Sequence, residues 1–419
     1  MREIRKLTKD DLDQYREITY NAYPSLRDFS EEGIREYNQS VLDIIENDSK
    51  VGFYGLFHDS KMIAVMRLFD LEMNCFGKIL PVSGLGFLGV HAAYKKMGAA
   101  REMLTFYEEL YREKGVPIGT LIPFRPDFYK RMGYGIGTKM SRYRIDTERI
   151  PAYFGESHIA FIDRHEITSL LECHGRVVAK THGMVMKHRK EISEMQEAET
   201  VRYLGCYDES RVLRGYLSYE YKYPVPGNYT RNEIFIREFV FENKDVMRQL
   251  LGFLRKQADQ VQIVVFNTED DNFYYLFNNP TNDGYTYIEP YGYLETNMQG
   301  IGAMYKLFDI AGAFAQCAHR NYNNANLIVC FQVKNELYGT ESRTAITFTN
   351  GIAEVSPETT VADVTVTVNG ADFAPMFLGS VSPLGLYRLG LLEVDNMDML
   401  EEVDRIFYCS SKPVWYSDL

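Results

Sequence analysis

The chain has 419 residues, 45% of them hydrophobic and 25% charged, and a formal net charge of −12. That length exceeds one typical core, so two or three domains are expected, and no apolar run approaches the ~20 residues a bilayer span needs. The acidic balance argues against nucleic acid as the main partner and is compatible with a cationic one.

The first residues, Met1 to Lys6, lack the apolar core of a signal peptide, which points to a cytoplasmic protein. The six cysteines, at 75, 173, 206, 317, 330 and 409, include no Cys-x-x-Cys pair and have no histidine at metal-ligand spacing. No metal is therefore expected, and the thiols read as buried or free in a reducing compartment. The chain has 31 tyrosines and 25 phenylalanines but one tryptophan, which suggests β-rich cores and sizeable interfaces.

Residues 1–146 read as one α/β domain. A short strand over 4–7 precedes a helix capped by Thr8, with Leu12, Tyr15, Ile18, Thr19 and Ala22 on its buried face. Ser30 caps a second helix that ends near Asn47. Residues 51–57 and 62–71, joined by the turn His58-Asp59-Ser60-Lys61, read as a hairpin. An apolar strand over 84–90 then runs through Lys95 and Lys96 into a helix that starts Gly98-Ala99-Ala100-Arg101. Ala100, Met103, Leu104, Tyr107, Leu110 and Tyr111 share one face of that helix, and Gly115 stops it. Small residues at a helix start leave backbone N–H groups bare, which suits a phosphate. From residue types alone, an ordinary crossover with incidental lysines explains the segment equally well. A strand near 117–122, a short helix through 128–131 and closing strands to Ile145 complete the domain.

Residues 147–297 make a second pass. A helix over 165–181 precedes strands over 201–207, 211–221 and 233–241. A helix over 244–259, with Val246, Leu250, Leu251 and Leu254 inward, and a buried strand over 261–266 follow. Its strand-to-helix junction, Glu242-Asn243-Lys244-Asp245, has two acids and no glycine and would receive a phosphate poorly. Residues 298–419 form a third unit. It has a strand over 304–309, a small-residue helix over 310–319, and strands over 327–333, 344–349 and 364–368. Helices over 371–378 and 397–407 and the aromatic tail Lys412 to Leu419 complete it.

Lys95-x-x-Gly98-x-Ala100 after a β-strand resembles the acyl-CoA pyrophosphate loop of the GNAT N-acetyltransferases, usually written Gln/Arg-x-x-Gly-x-Gly/Ala. The segment Phe128-Tyr129-Lys130-Arg131-Met132-Gly133-Tyr134 resembles the stretch where that superfamily places its acid tyrosine. The whole plan is similar to the enhanced intracellular survival (Eis) acetyltransferases. It is a mixed α/β (α+β) chain of two tandem GNAT-like domains followed by a sterol-carrier-protein-like domain. The resemblance is strongest at 84–101, at 127–135 and in the Pro413-x-Trp415 tail.

The resemblance implies direct acetyl transfer from acetyl-CoA to a primary amine. Tyr129 would be the general acid and the Leu419 carboxylate the general base, although that family often ends in phenylalanine. Backbone at Leu88, Gly89 and Val90 would hold the thioester and pantetheine. Lys95, Lys96, Met97, Gly98, Ala99, Ala100 and Arg101 would receive the pyrophosphate, and Phe124 and Arg125 would flank the pantetheine arm. The implied acceptor is a cationic small molecule of aminoglycoside or polyamine type. Asp28, Glu31 and Glu32 could bind it, and they read equally well as a helix-start cluster. His91 reads as a loop residue. The second GNAT-like domain reads as a degenerate copy that does not bind CoA. Trimers or hexamers are implied for the assembly. Two other functions stay open: a non-catalytic binder of apolar ligands, and a transferase acting on protein amines or using longer acyl groups.

Overall fold

The computed structural model describes residues 2–155, 158–282, 284, 287–288, 292–357 and 359–419. They fall into two compact units. One holds the chain up to Gly137 together with Ala303–Pro413 and Leu419, and the other holds Thr138–Gly302 and Val414–Asp418.

The first unit opens with strand β1 (Arg2–Lys6) and helices α1 (Leu12–Ala22) and α2 (Glu31–Asn47). Thr8 and Asp11 form a capping box at the entry to α1, and the Ser30 hydroxyl accepts the Gly33 N–H at the start of α2. Then come β2 (Val51–His58), β3 (Lys61–Cys75), β4 (Lys78–Val90), α3 (Ala99–Glu113), β5 (Ile118–Leu121), α4 (Pro126–Lys130) and β6 (Gly135–Ile136). The two hairpins turn on residues with left-handed backbone. These are Asp59 and Ser60 (φ 50° and 68°), then Phe76 and Gly77 (φ 57° and 93°), the geometry that matches strand twist. The strand predicted over 84–90 thus begins earlier, at Lys78, because Pro81 and the polar turn before it hide the start of the apolar run.

The seven-stranded sheet runs β1-β2-β3-β4-β5, then the strand Met304–Leu307, then β6. A strand from beyond residue 297 therefore completes the first sheet, between β5 and β6. Lys139–Asp146, from before residue 147, lies in the sheet of the other unit. Helix α3 buries Ala99, Met103, Leu104, Tyr107 and Tyr111 against Leu56, Ile63, Met66, Leu68 and Leu85. Each large side chain so buried stabilises by roughly 1.5–3 kcal/mol.

The rest of the first unit is a five-stranded sheet in the order Ile352–Ser356, Thr340–Thr349, Leu327–Asn335, Val364–Asn369, Leu392–Val394. Helices Ile310–Gln316, Gly370–Phe377, Pro383–Arg388 and Leu400–Phe407 accompany it. Its centre is filled by rings. Phe314 stacks on Phe331 with centroids 5.7 Å apart, and Tyr322, Phe348, Phe373, Phe377 and Phe407 close around them. Buried Lys306 meets buried Glu108 at 2.7 Å and donates to the Met132 carbonyl. Removing one partner of such a pair would strand a buried charge.

The second unit is another seven-stranded sheet: Met298–Ile301, Lys139–Asp146, Ile263–Thr268, Glu233–Phe241, Leu213–Lys222, Arg202–Tyr207, Ile159–Ile162. Helix Lys244–Arg255 buries Val246, Leu250, Leu251 and Leu254, the face read from sequence. Helix Arg189–Glu197 was not expected. Its polar surface hides the period, and only Met195 among its apolar residues is fully buried.

Candidate active site

Strand β4 carries the site's geometry. It pairs in parallel with β5 only from Ser83 to Leu85, because β5 ends at Leu121 while β4 continues to Val90. Beyond Leu85, that edge of β4 has no strand partner among the described residues. On its other edge, the register with β3 jumps from Gly86 opposite Arg67 to Gly89 opposite Val65. Phe87 and Leu88 therefore form a bulge, and Phe87 takes a left-handed backbone (φ 49°). The bulge frees the Leu88 carbonyl, which accepts the Tyr23 hydroxyl at 2.8 Å. Gly89 lies against α1, where an added Cβ would meet Ile18 at 3.2 Å and Ala22 at 3.3 Å. Val90 ends the strand opposite Ala64.

The loop after β4 makes one 3-10 turn, Ala92–Tyr94, capped by the His91 ring, whose Nδ1 accepts the Ala93 N–H. The other ring nitrogen lies 3.5 Å from Glu17, so His91 is a loop-structuring residue. Lys95, Lys96 and Met97 are exposed, and Lys96 is left-handed (φ 64°). Gly98 is the N-cap of α3, with φ 86° and no side-chain bond to the first turn. Ala99 is buried and Ala100 half-buried beneath it. The result is an uncapped fifteen-residue helix start with two lysines before it, which is the arrangement an anionic phosphate group requires. Arg101 lies outside this constellation. Its guanidinium donates to the Leu337 carbonyl, from Nε at 3.1 Å.

Across from β4, Phe124 is exposed, and Arg125, the residue before α4, donates its guanidinium to Asp127 at 2.7 Å. Tyr129, in α4, is 7% exposed. Burial pushes its phenol well above the ordinary tyrosine range, and the neighbouring Tyr23 adds to the shift. Tyr23 itself is raised to about 12 by burial, with Arg27 pulling the other way.

Leu419 is 7% exposed and lies on the β3–β4 surface. A Cβ at Gly86 would come within 3.1 Å of its carboxyl carbon, and one at Gly84 within 2.8 Å of its side chain. Both glycines are thus close-approach positions for this residue. Paired residues project to the same face, so Leu419 shares its face with Arg67, opposite Gly86, and Phe69, opposite Gly84.

Two of the three acids proposed for a cationic substrate have local roles. Asp28 accepts the Ser30 N–H at 2.8 Å, and Glu32 meets Arg35. Tyr23, Phe87, Arg67 and Arg27 were not anticipated. No spacing rule marks them, because a bulge and a ladder register bring them together. Among the described residues, no cluster of histidine, cysteine or carboxylate side chains could hold a metal. No helix among them is long and apolar enough to cross a membrane.

Residues 3–137 and 183–295 each match an acetyltransferase (GNAT) domain family, and residues 312–417 match the sterol carrier protein domain. An uncharacterized N-acetyltransferase of Streptomyces avermitilis is 27% identical over 154 residues, covering 35% of this chain and 34% of the relative, so the match spans about a third of that protein's length. A GCN5-related N-acetyltransferase from Anabaena variabilis aligns over 99% of both chains with TM-score 0.81 at 15% identity. Eis1 from Mycobacterium abscessus aligns over 100% of both chains with TM-score 0.75 at 16% identity. The two GNAT matches together take in more than half of the chain, and these two domains belong to the acetyltransferase (GNAT) family. Its order of domains, two of GNAT type and then a sterol carrier protein domain, is the Eis-type plan.

Proposed function

We propose that this protein transfers an acetyl group directly from acetyl-CoA to a primary amine, using the cleft of the first GNAT domain. The observation that carries the reading is the placement of the Leu419 carboxyl group over Gly86, on the strand whose free edge leads to the uncapped Gly98 helix start. The exposed lysines and the α3 N–H groups receive the pyrophosphate, and the free edge at Leu88 to Val90 lines the pantetheine and thioester.

An ammonium cannot attack, so the Leu419 carboxylate takes its proton, directly or through water. The amine adds to the thioester carbonyl, and a β4 N–H stabilises the oxyanion. The intermediate collapses by breaking the C–S bond, the departing thiolate takes the Tyr129 proton, and the second proton of the added nitrogen passes through water to the tyrosinate. Burial keeps that phenol protonated, so its proton is in place when the thiolate leaves. Holding amine and thioester in line supplies much of the remaining rate.

The net charge of −12 and the Eis-type plan favour a polycationic acceptor of aminoglycoside or polyamine kind. The local roles of Asp28 and Glu32 weigh against it. The ring-filled core of the last domain weighs against a protein whose main task is to carry an apolar ligand. A homo-oligomer, trimer or hexamer, belongs to the same reading, and sedimentation velocity tests it.

The test of function is thiol release from acetyl-CoA with a panel of amines, for the wild type, Tyr129→Phe and a chain lacking Leu419. Turnover that collapses in both variants supports the assignment. Turnover that survives both leaves an acetyltransferase with a different acid and base.

A further inference from the structure

We infer that the acceptor amine carries an anionic group, which Arg27 binds above the Phe87 ring beside the Leu419 carboxyl group. The inference rests on the acetyltransferase reading and, on the local geometry, replaces the polycationic acceptor that net charge favours.

Phe87 is the left-handed residue of the β4 bulge, next to Gly86, over which the Leu419 carboxyl group lies. Two guanidinium groups converge on its ring, with Arg67 Cζ 4.4 Å and Arg27 Cζ 5.0 Å from the centroid. Arg67 continues the stack to Phe69 at 4.8 Å, on the Leu419 face of the sheet. Arg27 continues it to Tyr37 at 4.6 Å and Tyr20 at 5.9 Å, both packed from α1 and α2. The floor under both cations is aromatic.

Stacking on ring faces satisfies part of a guanidinium's charge and none of its hydrogen bonds. The Arg27 Nε is buried without a hydrogen-bond partner, and among the described residues no carboxylate reaches Arg27 within ion-pair distance. Two acids of the same region point to other tasks. Asp28 accepts the Ser30 N–H, and Glu17 faces His91. Such a fork, planar and held by rings, fits a carboxylate or phosphate bidentately.

Its position matters as much as its charge. Arg27 shares the 23–29 connection with Tyr23, whose hydroxyl bonds the Leu88 carbonyl and whose ring meets Phe87 at 5.3 Å and Phe124 at 6.3 Å. An amine presented to the Leu419 carboxylate therefore has a guanidinium within one aromatic ring of it. A polycation there would meet like charge. Leu26, Phe29 and Phe124, all exposed and on the same two connections, add an apolar rim. The geometry describes an acceptor with an amine, an acidic group a few bonds away and an apolar flank.

The test compares kcat/KM in thiol release for matched probes, with acetyl-CoA binding measured by calorimetry on the same preparations. The probes are 4-aminobutyrate against its amide, phenylalanine against phenylalaninamide, phosphoethanolamine against ethanolamine, and spermidine. We expect the acid to exceed its neutral partner by on the order of 10-fold or more in at least one pair, as charged hydrogen bonds allow. The amino-acid arms against the phosphoethanolamine arm identify the anion. Arg27→Gln should abolish that ratio, and Arg27→Glu should reverse it in favour of spermidine, a gain that misfolding cannot imitate. Equal rates for acid and amide, or spermidine as the best wild-type acceptor, overturn the inference and leave the acetyltransferase reading intact. Failure to bind acetyl-CoA sinks the reading on which it rests.

Discussion

The two GNAT domains reach the same structural junction, a sheet strand running into a helix, and finish it in opposite ways. In the first, Gly98 enters α3 with φ 86° and offers no side chain, so the first N–H groups face outward unpaired by any cap. In the second, the Asn243 side chain accepts from Asp245 N at 3.0 Å and Val246 N at 3.1 Å, and Asp245 adds negative charge to the first turn. Glu242 just before it is held by Arg176 and Arg214. One cap residue thus separates an anion-receptive helix end from a closed one. The contrast extends to the strand that follows each helix. After β5 the first domain has an exposed Ile122 and Phe124. After Ile263–Thr268 the second has buried Glu269, which accepts the Trp415 N–H at 2.7 Å, while its own N–H donates to the Tyr416 hydroxyl. We propose on these grounds that only the first domain binds acetyl-CoA.

The largest effect should come from Tyr129→Phe. Loss of a general acid lowers kcat by about 100-fold or more while acetyl-CoA affinity holds, and no tyrosine of the second domain compensates. Steady-state kinetics with separate calorimetry reads both. Gly98→Val should follow. Nothing lies within 4 Å of a Cβ there, so the cost is backbone strain at φ 86° rather than crowding. Strain of about 1–3 kcal/mol corresponds to roughly 5- to 150-fold weaker acetyl-CoA binding.

Glu269 supplies a pH signature in the second unit. Burial raises its carboxyl to about 8, while the Trp415 N–H pulls it down. A folded value above the unfolded one means that the native state holds the proton more tightly. Its contribution is complete below the ordinary glutamate range and is lost as pH rises toward 8. The unfolding midpoint should therefore fall between pH 5 and about pH 8. Glu269→Gln should flatten that slope, as thermal melts at several pH values will show. The smallest effect is Asn243→Ala, which should cost about 1 kcal/mol of stability and leave acetyl-CoA binding unchanged.

Much of this contrast was written in local sequence. A glycine against an asparagine at each helix start, and a Phe-Tyr-x-x-x-Gly-Tyr segment in one domain only, are differences that spacing displays directly. What stayed hidden depends on pairing across long separations. Met304–Leu307 reads as a plain strand, and only its register with Leu121 and Ile136 assigns it to the first sheet. Arg101 looks like a phosphate ligand beside Gly98, yet a carbonyl more than two hundred positions later takes its guanidinium. The Phe87 bulge arises from two strands differing by one residue, and the placement of Arg27 and Arg67 around it follows from that offset. No residue type announces such an offset.

Titrating the full chain with acetyl-CoA by calorimetry tests the central claim most directly, with Gly98→Val and Asn243→Ala beside the wild type. The account predicts one site per chain, weakened by the first substitution and untouched by the second. Two sites per chain, or binding that survives at Gly98 and fails at Asn243, would contradict it.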